Sequence, residues 1–358
     1  MERFGIVGLP NAGKSSLFNA LTVGNALVAA HPFSTTETNV GVARVPDHRL
    51  DALAAMSQSK KVVNATAEFV DIAGIQKGSN AGEGLGNKFL GGIREVDATL
   101  YVLRAFVDPN VVGGSDPLDD LATLELELVL ADAASAETQL ERRRKAAKSD
   151  KSLAGEVAAL EKAVDLLQAA MPLYRAGLSR DEITALQPFF LITAKPVLVV
   201  VNLGEDQLDQ ADAMVASVAG ELSGAAEVLA ACVQLEAETA QLDAGERAEL
   251  LDGLGLGEGA LPRVISAAYH LLGLRTFLTT GDKESRAWTF RAGAKAPECA
   301  GVIHSDLQRG FIRAEVIRWD ELLGFGSWAK AKDAGKLRVE GKDYEVQDGD
   351  TLEIRFNV

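Results

Sequence analysis

Residues 8–15 read Gly-Leu-Pro-Asn-Ala-Gly-Lys-Ser, which satisfies G-x-x-x-x-G-K-[ST] in full. Residue types at that spacing make a phosphate cradle. The backbone N–H groups of Asn11, Ala12, Gly13, Lys14, Ser15 and Ser16 can converge on phosphate oxygens, helped by the dipole of the helix that follows. Lys14 supplies a point charge for the β/γ-oxygens, and the Ser15 hydroxyl is a ligand for a bridging Mg2+. The motif requires a strand before it and a helix behind it. Residues 3–7, Arg-Phe-Gly-Ile-Val, read as a short buried strand, and residues 16–21, Ser-Leu-Phe-Asn-Ala-Leu, open an apolar-periodic helix.

Further groups fit the same chemistry. The polar, proline-containing stretch 31–41 reads as a loop, and it offers Thr35, with Thr36 as near rival, as a second hydroxyl for the metal. Residues 67–74 form an apolar run ending in Asp71 and Gly74. Asp71 at a strand end is placed to hold Mg2+ through water, and the Gly74 N–H to approach the γ-phosphate, so that Lys14, Thr35 and Gly74 make the catalytic set and Ser15, Thr35 and Asp71 the metal set. The next residue, Ile75, cannot orient water by hydrogen bonding. The glycine-rich stretch 82–86 contains Glu83, either a catalytic group or a solvated carboxylate.

A later apolar run ends in Asn202, Leu203, Gly204 and Glu205, where a nucleobase would be chosen. GTP-binding sites commonly carry N-K-x-D there. Leu203 in place of lysine and the longer Glu205 in place of aspartate predict relaxed or switched base specificity, with ATP favoured. The backbone of Val233 and Gln234 forms the other candidate contact with the base.

These groups need a scaffold, and the chain is long enough to build one. Its 358 residues suffice for two or three cored domains, and 47% hydrophobic with 24% charged residues is an ordinary globular composition. No apolar run approaches the roughly 20 residues of a membrane helix. A strand starting near Arg3 leaves no room for a signal peptide, so the expected location is cytoplasmic. Cys232 and Cys299 show no metal spacing and are expected to be buried or free thiols. The net charge of −15 disfavours a general polyanion binder, and DNA is not an expected partner. From Thr276 onward, however, 13 basic residues face 14 acidic ones, so the C-terminal part is the region best suited to approach RNA.

Strands are expected at 98–104 and 196–201. The ninety-odd residues between them are too many for one crossover. The stretches 121–144 and 153–171 have helical apolar spacing, separated at 148–152, and predict an antiparallel hairpin. Arg142, Arg143, Arg144, Lys145, Lys148 and Lys151 cluster at its tip, either an RNA contact or a solvated face. A last strand and loop is expected at 228–236 and a packed helix at 261–274. Beyond Thr276 come short strands and turns of a small α+β module, in which His304 reads as a hydrogen-bonded structural residue.

Taken together, the loop at 8–15, Pro-Phe-Ser-Thr at 32–35 with Asn-Val-Gly at 39–41, Asp-Ile-Ala-Gly at 71–74, the stretches 82–90 and 93–97, and Asn202 to Glu205 resemble the YchF/Obg-like ATPase family. The end of the chain, with Phe-Ile-Arg-Ala-Glu at 311–315, Glu-Gly-Lys-Asp-Tyr at 340–344 and Asp-Gly-Asp at 348–350, is similar to that family's TGS domain, a β-grasp module. The resemblance spans the chain. It implies an α/β P-loop NTPase domain with a mainly parallel sheet (1–120 and 190–275), an inserted antiparallel helical hairpin (121–189) and a C-terminal α+β TGS domain (276–358).

It also implies ATP hydrolysis, with GTP often accepted, and association with the ribosome or ribosomal RNA through the TGS domain and hairpin. Two residues bear on the mechanism. Asn11 resembles the asparagine that some potassium-stimulated relatives use as a K+ ligand, with a plain turn asparagine as the alternative. The family's loop histidine before Asp-Pro-Leu-Asp-Asp is missing here, where 110–115 read Asn-Val-Val-Gly-Gly-Ser and Gly113 stands in that loop. Slow unstimulated turnover follows as an expectation.

Overall fold

The computed structural model describes residues 2–22, 39–72, 85–109, 114–240, 242–254 and 256–357. In chain order these form β1 (Arg3–Val7), α1 (Lys14–Thr22), β2 (Asn39–Arg44), α2 (His48–Ser57), β3 (Val62–Val63), β4 (Thr66–Asp71), α3 (Leu85–Arg94), β5 (Ala98–Arg104), α4 (Pro117–Ala147), α5 (Ala154–Gln168), α6 (Arg180–Leu186), β6 (Val197–Asn202), α7 (Ala211–Leu222), β7 (Glu227–Ala231), α8 (Val233–Thr239), α9 (Ala244–Gly253), α10 (Leu261–Leu271), β8 (Leu274–Thr279), β9 (Ser285–Arg291), α11 (Ala296–Ile303), α12 (Ser305–Arg309), β10 (Phe311–Arg318), α13 (Trp319–Phe325), α14 (Trp328–Asp333), β11 (Arg338–Glu340) and β12 (Asp350–Phe356). Among the described residues no helix is long and apolar enough to cross a membrane.

The chain divides into two compact units, residues 1–42 with 68–267, and residues 43–67 with 268–358. The first is built on a six-stranded sheet in the order β2-β4-β1-β5-β6-β7. Its β1, β4, β5, β6 and β7 pair in parallel. The central strands β5 and β6 are buried at every position, as a sheet covered on both faces requires. Both end at the same edge of the sheet, Arg104 pairing Asn202. That edge is where ligands sit in open α/β sheets.

The hairpin is present as α4 and α5, closed by an apolar cluster that includes Val129, Ala136, Leu140, Leu160, Ala163 and Phe189. Asp116 caps α4 by accepting from the Leu118 N–H, with Pro117 at the first helical position. Asp132, wholly buried on the packed face of α4, accepts N–H bonds from Ile192 at 3.0 Å and Thr193 at 2.7 Å, and the Thr193 hydroxyl at 2.8 Å. At the tip, Arg143 pairs with Glu156 and Arg144 with Glu161, so two of the six basic residues are bound within the hairpin.

In the second unit the sheet order is β11-β10-β12-β8-β9-β3. The hairpin β8–β9, the parallel pairing of β8 with β12, and β10 between β12 and β11 are the β-grasp arrangement. Its core gathers Phe277, Phe290, Ala296, Cys299, Val316 and Leu352. Residues 43–67 belong here, which differs from the expectation that everything up to 120 lies with the phosphate loop. β3 adds in parallel to β9, and Arg49 bridges Asp47 at 2.8 Å and Asp348 at 2.7 Å.

Other local expectations also shift. Residues 39–41, read as loop, open β2, and the remainder of the 31–41 stretch falls outside the described residues. Val233 starts a helix in place of the expected loop, and the helix from Leu261 ends at Leu271, Leu274 already being strand. Both cysteines are buried and free, as expected. His304 is exposed, its Nδ1 accepting the Asp306 N–H to cap α12.

Candidate functional site

The phosphate loop leaves β1 and turns directly into α1. Two glycines are required by close approach. A Cβ at Gly8 would lie 2.5 Å from the Val102 carbonyl oxygen, and one at Gly13, where φ is +96°, would lie 2.3 Å from Asn202 Nδ2. Asn11 also has a left-handed backbone, φ +62°, a conformation asparagine tolerates better than most residues. Ala12 is fully buried under the loop, whereas Ser15 and Ser16 are exposed at the start of α1.

Lys14 is nearly buried, and its Nζ donates to the Leu9 carbonyl at 2.8 Å. Burial lowers its pKa below 10.5, while the charges of Asp71 and Asp120 act in the opposite direction. Asp71 closes β4, paired in register with Ile6 of the strand that feeds the loop. Serine hydroxyl and aspartate carboxylate are the hard oxygen donors that Mg2+ takes. Among the described residues no three His, Cys, Asp or Glu side chains form a metal cage, and none is needed where phosphate oxygens and water complete the shell. Ser15 and Asp71 therefore fit that ion. Thr35, Gly74, Ile75 and Glu83, with Gly113 in the altered loop, lie outside the described residues.

A cleft of about 720 Å³ opens from Gly13 and Ser16. It is lined by Gly204, Glu205 and Asp206, by residues 106–109, and by Val233, Gln234, Ala237 and Glu238. Asn202, 4% exposed, bonds at both ends of its amide: Nδ2 donates to the Ala12 carbonyl at 2.9 Å, and Oδ1 accepts the Val233 N–H at 3.1 Å. It thus ties the phosphate loop to the start of α8. The Asn202 carbonyl accepts the N–H groups of Ala105 and Phe106 at 2.9 and 3.1 Å.

Leu203 borders the cleft, but its side chain is 2% exposed and packs into the sheet core. Glu205 is exposed on the wall. Gln234 turns its amide to Glu238, 3.1 Å away.

The wall at 106–109 has no counterpart among the sequence candidates. Phe106 is half-buried, with the Arg104 guanidinium 4.8 Å from its ring centroid and Arg104 Nε bonded to its carbonyl at 3.1 Å. The available signal was position: these residues directly follow β5, at the sheet edge that also holds Asn202.

Residues 3–132 match a family model described as a 50S ribosome-binding GTPase, and residues 274–357 match the YchF-GTPase C-terminal model, described as a protein of unknown function. The chain is 46% identical over 361 residues, 99% of both chains, to the ribosome-binding ATPase YchF of Bacillus subtilis (strain 168). It is 44% identical over 364 residues, again 99% of both, to the protein of that name from Escherichia coli O157:H7. The solved structure of the Schizosaccharomyces pombe YchF GTPase superposes with a TM-score of 0.86 at 33% identity, over 99% of this chain and 97% of that one.

Proposed function

The chain belongs to the YchF family, and from that premise we propose that it is a nucleotide-dependent switch that hydrolyses ATP, with GTP as a second substrate, and acts on the ribosome in the cytoplasm. Its relatives are named ribosome-binding ATPases, and the yeast structure a GTPase, so the choice of base rests on this chain's own cleft. The carrying observation is the burial of Leu203. With that side chain apolar and packed in the core, position 203 offers no cationic stem to a base, and Glu205 lines the cleft one methylene longer than aspartate. A carboxylate on that longer stem is not matched in position to guanine's two donors, the match by which a guanine site rejects adenine most strongly.

In this reading the loop amides and Lys14 grip the β- and γ-phosphates and stabilise the negative charge that spreads during in-line attack by water. Ser15, Asp71 and Thr35 would hold Mg2+, which would supply neutralising charge to the phosphates. The Gly74 N–H completes the γ-phosphate contacts, and Asn11 is the candidate for a K+ ligand. Ile75 leaves the water to be oriented by another group, which makes turnover slow until a partner assists. The C-terminal unit and the hairpin tip, with exposed Arg142, Lys145, Lys148 and Lys151, are the proposed ribosome contacts.

Side-by-side binding of non-hydrolysable ATP and GTP analogues with Mg2+ tests the base choice. An ATP advantage of about tenfold, about 1.4 kcal/mol, supports it. The same margin for GTP makes this a GTPase. Lys14→Ala should abolish phosphate release, and nucleotide-dependent co-sedimentation with ribosomes tests the partner.

A further inference from the structure

Gln207 lies in the short 3₁₀ turn Glu205–Gln210 that follows the base-recognition segment. Its Oε1 accepts the Gly204 N–H at 2.8 Å, and its Nε2 donates to the Ala105 carbonyl at 3.1 Å. One half of the amide therefore holds the wall that carries Glu205 and Asp206, while the other holds the root of the wall that carries Phe106. The approach is close: a Cβ at Gly204 would lie 3.6 Å from Phe106 Cβ and 3.5 Å from Gln207 Oε1. Only a side chain with a donor and an acceptor on one planar head, at this reach, makes both bonds. Glutamate keeps the acceptor but turns a carboxylate oxygen toward a carbonyl, and asparagine is one methylene short.

We infer that Gln207 is a positioning residue for base selection, setting the spacing between the Phe106 and Glu205 walls and with it the discrimination between purine nucleotides. The inference rests on the reading of this cleft as the nucleobase site. Gln207 itself need not touch the base. It acts through Gly204, which fixes where the Glu205 carboxylate stands, and through Ala105, which fixes the chain leading to Phe106. The contacts at the phosphate end, from Asn202 Nδ2 to the Ala12 carbonyl and at the closely packed loop glycines, do not involve Gln207. Loss of Gln207 should therefore affect the base and spare the phosphates.

The test compares wild type, Gln207→Glu and Gln207→Ala in the full chain, with three probes: non-hydrolysable ATP and GTP analogues, and inorganic tripolyphosphate, which has no base. Loss of one partly buried hydrogen bond with an unsatisfied partner corresponds to about tenfold in affinity. The expected result for Gln207→Glu is that magnitude of loss for the preferred nucleotide, a ratio of ATP to GTP affinities moved toward unity, and tripolyphosphate binding within about twofold of wild type. Gln207→Ala should move further in the same direction, and in steady-state turnover the loss should fall on KM more than on kcat. An equal loss for all three probes, which is what general loosening produces, overturns the inference. So does an unchanged selectivity ratio. Wild-type protein that binds tripolyphosphate but neither nucleotide overturns the nucleobase reading itself, and is seen without any variant.

Discussion

The Asn202 side chain and the Ala12 carbonyl are 190 positions apart in sequence and 2.9 Å apart in space. With the second bond, to the Val233 N–H, this contact makes one amide the joint between the phosphate loop and the start of α8. Asn202→Asp keeps the acceptor for Val233 and sets a carboxylate oxygen against the Ala12 carbonyl. The expected cost is about 1–3 kcal/mol, or about tenfold to a hundredfold weaker nucleotide binding, measured by titration with a fluorescent analogue. Unchanged affinity would show that the joint is incidental to the site.

Glycines in the first unit should divide sharply on alanine substitution. Gly13→Ala puts a Cβ 2.3 Å from Asn202 Nδ2 at a backbone angle that L-residues rarely adopt, so nucleotide binding should be lost. Gly220→Ala, in the interior of α7 with open space around the new methyl, should stabilise the fold by about 0.5–1 kcal/mol. Thermal denaturation and nucleotide titration of the two variants separate the effects; equal behaviour would contradict the loop geometry.

Nucleotide affinity should depend on pH through Lys14. Burial lowers its pKa below 10.5, so the free protein gives up this proton earlier than an ordinary lysine would, and the phosphates must then bind an uncharged amine. Affinity is expected to decline as the pH rises toward the ordinary lysine value, about 10.4, whereas Lys14→Met should bind weakly without that slope. A wild-type profile as flat as the variant's would rule out the charge contribution.

The Arg49 bridge makes a prediction for the second unit. Burial disfavours the charge of Asp348, but hydrogen bonds from Arg49 and the Thr276 N–H outweigh it and hold the carboxyl below its ordinary pKa. A depressed carboxyl contributes stability that is present above the unfolded value, about 3.9, and lost as pH falls through the folded one. Arg49→Met should cost about 2–3 kcal/mol near neutrality, much of it from stranding the buried Asp47, and the gap to wild type should narrow in acid. Denaturant unfolding at neutral and acid pH measures this. A gap that widens on acidification would invert the assignment.

Local order was legible in the sequence wherever a residue's neighbours along the chain settle its conformation. The strand at 98–104 coincides with β5, and the loop between β1 and α1 follows from a motif that specifies its own flanks. The hairpin was legible because two apolar stripes at helical spacing must cover each other. Asp132 was not: within a run of Ala, Leu and Glu it looks like one more solvated acid, and only the backbone N–H groups of Ile192 and Thr193, sixty residues on, explain a carboxylate at zero exposure.

By itself the sequence determined that a phosphate-loop motif stands between a strand and a helix, and that residues 202–205 depart from the N-K-x-D pattern, since each is a matter of residue type at short spacing. Tertiary structure alone decided that Asn202 bonds to the loop through its side chain, that Leu203 turns into the core, that Phe106 lines the cleft while Gln207 ties the Ala105 and Gly204 segments together, and that residues 43–67 fold with the C-terminal sheet. The physical reason is the same in each case. These outcomes depend on which hydrogen-bonding groups and apolar faces meet after distant strands have paired, and nothing in the neighbouring residues encodes that meeting.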